Sequence, residues 1–307
     1  EVLKLSREAG KAKSVALECS VYEALLDQYE PGGRTKQIDD LFADLAGFLP
    51  DFLEIALAKQ AERGEAIAPV GPFDTDRQCN LGRHLMQVLG FDFGAGRLDV
   101  SLHPFCGGVP GDIRITTRYG EDDFTQSLMG VLHETGHALY EMGLPEEWRY
   151  QPVGAARGMV LHESQSLLIE MQACRSREFL SFAAPLMREA FGGTGLEWKH
   201  ENLYRLYTHV EPSFIRVDAD EVTYPAHVIL RYRLERALID DQLALVDLPD
   251  AWNSGMVDLL GVRPPDDRQG CLQDIHWYDG AWGYFPTYTL GAMAASQLFA
   301  AAKVAHP

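Results

Sequence analysis

The sequence predicts a mainly α-helical protein with one minor β-sheet, and three observations carry that reading. Apolar residues recur at three- and four-residue steps through most of the 307 residues. Only two short segments, 97–103 and 112–117, alternate apolar and polar side chains as half-buried strands do. No self-similarity appears at the period of roughly 20–50 residues that marks solenoids and propellers.

From Val2 to Tyr29 the spacing of Val15, Cys19, Tyr22, Leu25, Leu26 and Tyr29 predicts one helix. Pro31, Gly32 and Gly33 then stop it. A second helix is predicted over Ile38–Arg63, with Pro50 marking a break or a new first turn, and a Pro- and Gly-containing connector follows over Ile67–Pro72. A third helix spans Thr75–Leu89 and ends at Gly90. The alternating segments Arg97–His103 and Asp112–Thr117, joined by a turn-rich loop at Gly107–Gly111, predict a small antiparallel sheet packed on helices. From Asp122 the pattern is helical to the end, with loops near Gly192-Gly193, Asp247–Asp250 and Arg263–Asp266.

Composition excludes several classes. With 27 basic against 45 acidic side chains the formal net charge is −18, which repels phosphate backbones and anionic lipid surfaces. The most apolar stretch, Leu290–Val304, is interrupted by Ser296, Gln297 and Lys303 and falls short of the ~18 apolar residues that a membrane helix needs. Five cysteines without close pairing, and no leader-like start, predict reduced and mostly buried thiols in a cytoplasmic protein. The chain opens in a helical pattern at Glu1 with no cap before it.

One segment carries chemistry. Asp122 or Asp123 can cap a helix that Gly143 and Pro145 can end, and within it lies His133-Glu134-x-x-His137. Positions i and i+4 stack on one helix face, so both imidazoles can hold a single Zn²⁺. Glu134 is rotated by roughly 100° from His133, where it can act on a water carried by the metal without competing as a ligand. The bare motif is only suggestive, since a helix with two hydrogen-bonded histidines also contains it. Apolar Leu128, Val131, Leu132 and Leu139 imply burial, however, and buried imidazoles need partners.

A catalytic zinc takes three protein ligands and keeps a position open. A third histidine six residues after His137 is absent, because that position is Gly143. The apolar helix Met159–Glu170 offers Glu163, with Glu170 the alternative seven residues on. Such a site also accepts Co²⁺ or Mn²⁺.

Six ordered blocks extend the pattern: His103-Pro-Phe105, Asp112-x-Arg114-x-Thr116, His133-Glu-x-x-His137, His162-Glu-Ser164, Ile215-Arg-x-x-Ala-Asp220 and Gly270-x-x-Gln-Asp-x-His-Trp277. Together they resemble the Taq-type zinc metallocarboxypeptidases, a family related in fold to neurolysin and angiotensin-converting enzyme. The resemblance covers essentially the whole chain. It implies a helical zincin that removes single residues from peptide C-termini, with His133, His137 and Glu163 as zinc ligands and Glu134 as base and proton shuttle. It also implies a homodimer and a fold longer than this chain, so that residues 1–307 form one catalytic domain lacking helices at both ends.

An exopeptidase must hold a free carboxylate, and a bidentate guanidinium suits that task. Arg216 is the first candidate and Arg114 the second, since Arg114 can equally brace Asp112 or Asp220. Thr116 and its strand could add the substrate as an extra strand. His276 is the leading donor to the developing oxyanion, with Tyr224, Tyr278 and His227 behind it, and Gln273 and Asp274 could orient His276. An endo- or oligopeptidase on the same scaffold, and a non-catalytic helical interaction domain, are the competing readings.

Overall fold

A computed structural model describes residues 1–306. Its elements fall into two compact units, each built from two stretches of chain. Glu1–Gly64 and His209–Leu290 form the first, and Glu65–Thr208 with the chain from Gly291 onward forms the second. Among the described residues no helix is long and apolar enough to cross a membrane. All five cysteines are free thiols, with Cys174 and Cys271 buried and the others partly so.

The first unit begins with α1 (Val2–Leu17) and α2 (Val21–Leu26) where one helix was expected. The break has a local cause. Glu18 takes a left-handed conformation (φ 50°), and Ser20 then caps α2 through a capping box, its hydroxyl accepting from the Glu23 amide while the Glu23 carboxylate accepts from the Ser20 amide. α3 (Thr35–Arg63) runs through Pro50 without ending there, so the expected break does not occur. α9 (Tyr224–Ile239) and α10 (Leu248–Leu260) complete the helices that belong wholly to this unit. Tyr22, Leu26, Phe42, Leu230, Leu238, Trp252, Met256 and Phe285 share its core. Residues 261–285 contain no helix or strand, a much longer irregular stretch than the loop expected near Arg263–Asp266. Pro264, Pro265 and the positive-φ glycines Gly261, Gly280 and Gly283 forbid regular structure there.

The second unit carries α4 (Thr75–Leu89), strands β1 (Gly96–Val100), β2 (Phe105–Val109) and β3 (Asp112–Thr117), α5 (Thr125–Met142), α6 (Met159–Leu167), α7 (Arg177–Phe191) and α8 (His200–Tyr207). α11 (Pro286–Ala305) starts within the first unit's residues and continues in the second's.

The sheet differs from expectation. It is three-stranded in the order β1-β3-β2, with β1 parallel to β3 and β2 antiparallel to it. Much of the segment read as a loop is strand β2. Gly107 and Gly108 sit in the ladder opposite Arg114 and Ile113, and the tight turn is confined to Pro110-Gly111. Low β-propensity glycines hid this strand, which its pairing with β3 creates.

Two apolar clusters grip α5. Leu128 and Leu132 pack with Phe73, Leu85, Phe124 and Leu180, while Val131 and Ala138 pack with Met86 of α4, Phe91 just after it, and Ile113 and Ile115 of the sheet. The N-cap of α5 is Phe124, without a side-chain cap, in place of the aspartate expected there; Asp123, one residue earlier, accepts from the Thr125 amide and hydroxyl (2.7 and 2.6 Å).

Candidate metal centre

α5 buries Leu128, Leu132, Glu134, Thr135, Gly136 and Ala138, and its less buried positions include His133, His137 and Glu141. The i, i+4 spacing sets the two imidazole centroids 5.0 Å apart. α6 lies against α5 closely enough that a Cβ at Gly136 would stand 2.4 Å from the Gln165 carbonyl oxygen and 2.5 Å from Ser166 Cα. That approach presents Glu163, itself buried, to both rings. Its Oε2 is 3.3 Å from His137 Nε2 and 4.0 Å from His133 Nε2. On Glu163's other side a Cβ at Gly291 would fall 2.9 Å from its Cβ and Cγ. Two glycines therefore fix where this carboxylate stands.

Donor atoms of His133, His137 and Glu163 all lie within 4.8 Å of one another and could hold a metal ion. Tetrahedral zinc with ligands at roughly 2.0–2.1 Å requires donors about 3.4 Å apart. The separations of 3.3 and 4.0 Å fall near that value. Both Nδ1 atoms are engaged elsewhere, which leaves the two Nε2 atoms to face Glu163. His133 Nδ1 is 2.9 Å from Glu170 Oε2, and the other Glu170 oxygen accepts from Arg175. His137 Nδ1 is 2.7 Å from His162 Nδ1, and His162 Nε2 is 2.7 Å from Glu141 Oε1.

Glu170 is thus placed behind His133, and Glu163 is the carboxylate that faces both Nε2 atoms. A π-helical turn at Leu168–Ala173 follows α6 and carries Glu170. Burial opposes charge throughout this cluster. It pushes the Glu134 carboxyl up to about 7, with Glu163 and Glu170 adding to the effect. For His133 the burial penalty is outweighed by Glu163, Glu170 and Glu134, which raise it to about 10. Glu170 is held at about 2 against its burial by Arg175 and His133.

The first unit contains a separate cationic cluster. Asp274 accepts from Arg216 Nε and Nη2 (3.0 and 2.8 Å) and from Arg231 Nε. Both arginines are buried, so two guanidiniums share one carboxylate and the trio keeps one net positive charge. Arg216 also stands 4.9 Å over the Tyr288 ring and donates to Tyr224 at 3.4 Å. Burial and the neighbouring arginines drive His227 down to about 3 and His276 to about 4, so both are neutral. His276 is oriented by Tyr288, its Nε2 lying 3.1 Å from the hydroxyl. The expected orienting groups are otherwise occupied. Asp274 is 3.7 Å from His276 Nδ1, and Gln273 Oε1 accepts from the Arg216 amide and from Arg231. His227 is fully buried with neither ring nitrogen hydrogen-bonded, whereas Tyr278 is exposed.

The sequence model described as the carboxypeptidase Taq (M32) metallopeptidase family matches residues 1–307. The chain belongs to this family. It is 44% identical over 284 residues to thermostable carboxypeptidase 1 of Thermus thermophilus, a match covering 92% of this chain and 55% of that protein. Carboxypeptidase 1 of Bacillus subtilis is 39% identical over 90% of this chain and 55% of its own length. The chain therefore spans little more than half the length of these curated relatives. Among solved structures, Trypanosoma cruzi metallocarboxypeptidase 1 superposes with a TM-score of 0.94 at 45% identity, covering 97% of this chain and 62% of that one. The M32 carboxypeptidase of Deinococcus radiodurans R1 does so at 0.90 and 36%, covering 99% and 62%.

Arg114 pairs with Asp112 in a half-exposed bidentate bridge (2.6 Å at the shortest), one of the bracing roles expected of it. One sequence expectation for this M32 chain needs revision. Thr116 is buried, donating to the His103 carbonyl and accepting from the Phe105 amide (3.0 and 3.1 Å). Its strand is the central one, paired on both sides, so no edge of β3 is left for a peptide; the edge strands are β1 and β2. The sequence reading quoted His162 in a block without giving it a role, and passed over Glu141, Arg175 and Arg231. For Arg231 a signal existed: His227, Arg231 and Glu235 recur every four residues along apolar α9, and all three are fully buried.

Proposed function

We propose that this chain carries the hydrolytic centre of a metal-dependent carboxypeptidase acting on peptides with a free C-terminus. The observation that carries the reading is the convergence of His133 Nε2, His137 Nε2 and Glu163 Oε2 beside a buried Glu134 that is not one of the donors. His133, His137 and Glu163 would hold zinc, with Co²⁺ or Mn²⁺ as substitutes. When bound, the ion supplies a Lewis acid for the scissile carbonyl and lowers the pKa of a coordinated water towards ~7. Glu134, buried beside the donors, takes the proton from the attacking water and delivers it to the departing amine. The Arg216–Asp274–Arg231 trio, with its one uncompensated charge, is the part of the chain suited to a terminal carboxylate. His276, neutral and with Nδ1 not hydrogen-bonded, and the Tyr224 hydroxyl are the proposed donors to the oxyanion. A homodimer belongs to the same proposal on family likeness alone and a cytoplasmic location on the free cysteines, and sedimentation tests the homodimer.

Glu134→Gln tests the centre. The variant should retain zinc by elemental analysis and lose about 10²–10⁴-fold in turnover. Turnover near wild type in the metal-replete variant would remove Glu134 from the mechanism. Paired peptides with free and amidated C-termini test the exopeptidase assignment: equal cleavage of both would point to an endopeptidase on the same scaffold.

A further inference from the structure

The two histidines that face Glu163 are backed in different ways. Behind His133 stands an ionised carboxylate, Glu170, itself held by Arg175. Behind His137 stands another imidazole, His162, and behind that Glu141. The second arrangement suits one placement of the hydrogens. A metal ion on His137 Nε2 needs a lone pair there, which puts that ring's hydrogen on Nδ1. His162 Nδ1, 2.7 Å away, is then its acceptor. His162 in turn carries its hydrogen on Nε2, 2.7 Å from the Glu141 Oε1 that can accept it. His137 Nε2 is directed at the side where Glu163 Oε2 lies 3.3 Å away.

We propose that His162 and Glu141 are a positioning pair that fixes the tautomer and ring orientation of His137, so that its Nε2 lone pair is presented to a metal ion. The inference rests on the metal-centre reading above and adds residues to it. Packing supports the pair. Tyr140 meets the His162 ring edge-on with centroids 5.0 Å apart, and His137 lies against it at 4.7 Å. His162 and Glu163 are adjacent in α6, so one helical turn supplies both the carboxylate in front of His137 and the acceptor behind it. Partners that orient a ligand histidine in this way commonly govern metal affinity as well as geometry.

The test uses the full chain and Zn²⁺ alone. His162→Phe keeps ring volume and removes the acceptor, and Glu141→Leu removes the group that polarises it. Each should weaken zinc binding, read by chelator competition, by about 10–100-fold. His162→Asn places an oxygen near the Nδ1 position and should stay within about threefold of wild type. Zinc affinity within about threefold of wild type for both His162→Phe and Glu141→Leu, or a loss in His162→Asn equal to that in His162→Phe, would overturn the proposal. Thermal unfolding of the metal-free variants separates misfolding from lost affinity, and Glu141→Leu decides the matter alone if His162→Phe does not fold. A ring-nitrogen NMR spectrum of the metal-free wild type should show His137 carrying Nδ1–H, with mixed tautomers in Glu141→Leu. An Nε2–H form in the wild type refutes the positioning pair. A chain that binds no zinc yet shows the Nδ1–H form refutes the metal centre and leaves the pair standing.

Discussion

Gly136→Ala sets two physical effects against each other at the centre. Helix propensity alone favours alanine, by about 1 kcal/mol for a helix-interior glycine. Packing opposes it, because the new Cβ would lie 2.4 Å from the Gln165 carbonyl oxygen and 2.5 Å from Ser166 Cα, both backbone atoms that no rotamer change can move. Restoring ordinary contact at 3.4 Å requires α5 and α6 to part by 1.0 Å (3.4 − 2.4). Overpacking of that kind costs about 1–3 kcal/mol, so the net change should be destabilising. Glu163 rides on α6 and both histidines on α5. The same displacement would widen the 3.3 and 4.0 Å donor separations beyond the span that one zinc ion bridges. Displacements near 1 Å commonly cost about 10²-fold in turnover. Denaturant unfolding and zinc competition on the purified variant measure both effects. Gly47→Ala is the control, since nothing lies within 4 Å of a Cβ at that α3 position, and it should stabilise by roughly 0.5–1 kcal/mol. If Gly136→Ala were as stabilising as Gly47→Ala and bound zinc normally, the account of how the helices fix Glu163 would be wrong.

Three further outcomes follow from buried charge and capping. Asp274→Asn leaves Arg216 and Arg231 buried without their counter-ion and should cost about 3–5 kcal/mol in denaturant unfolding. Because its partners hold Asp274 at about 2 against an ordinary 3.8, its wild-type contribution is complete above pH 3.8 and disappears as pH falls through about 2. Glu235 has the opposite sign: burial raises it from 4.5 to about 7 despite hydrogen bonds from Tyr22, Trp277 and the Gly283 amide. The unfolded chain releases that proton first, so stability should fall by about 3 kcal/mol as pH rises from 4.5 to 7 and level off above, a slope absent from Glu235→Gln in matched melts. Ser20→Ala removes one arm of the α2 capping box and should lower stability by about 1 kcal/mol in the same assay.

The elements legible in the sequence were those that local pattern dictates. The helix at about Thr75–Leu89 was legible from its period and from Gly90, which takes the left-handed conformation at its end; the structure adds Asp74 as the cap of its start. Glu163, with Glu170 as the alternative, could be picked out because an acidic side chain in an apolar helix needs a partner. Strand β2 was missed because its glycines carry no strand signal, and the capping box at Ser20 was hidden inside an uninterrupted apolar period. His162 stands in one of the six blocks, but its contacts with His137 and Glu141 arise only where α5 and α6 come together, and sequence spacing carries no trace of them. The division of labour behind Asp274 was likewise invisible: Gln273 and Asp274 serve the two arginines, and Tyr288 orients His276.

The π-helical turn has a consequence for how this centre can change over generations. An i→i+5 turn holds one residue more than α geometry would, so Leu168–Ala173 amounts to a helix with a single insertion. Losing Leu168 or Ile169 would let the backbone relax into regular α-helix, with better hydrogen bonding. It would also swing Glu170 by about 100° around the axis and away from His133. The more regular helix would be the poorer site. The unit that descendants must preserve is therefore the interval between the two glutamates, seven residues long (170 − 163), and not merely the glutamates themselves.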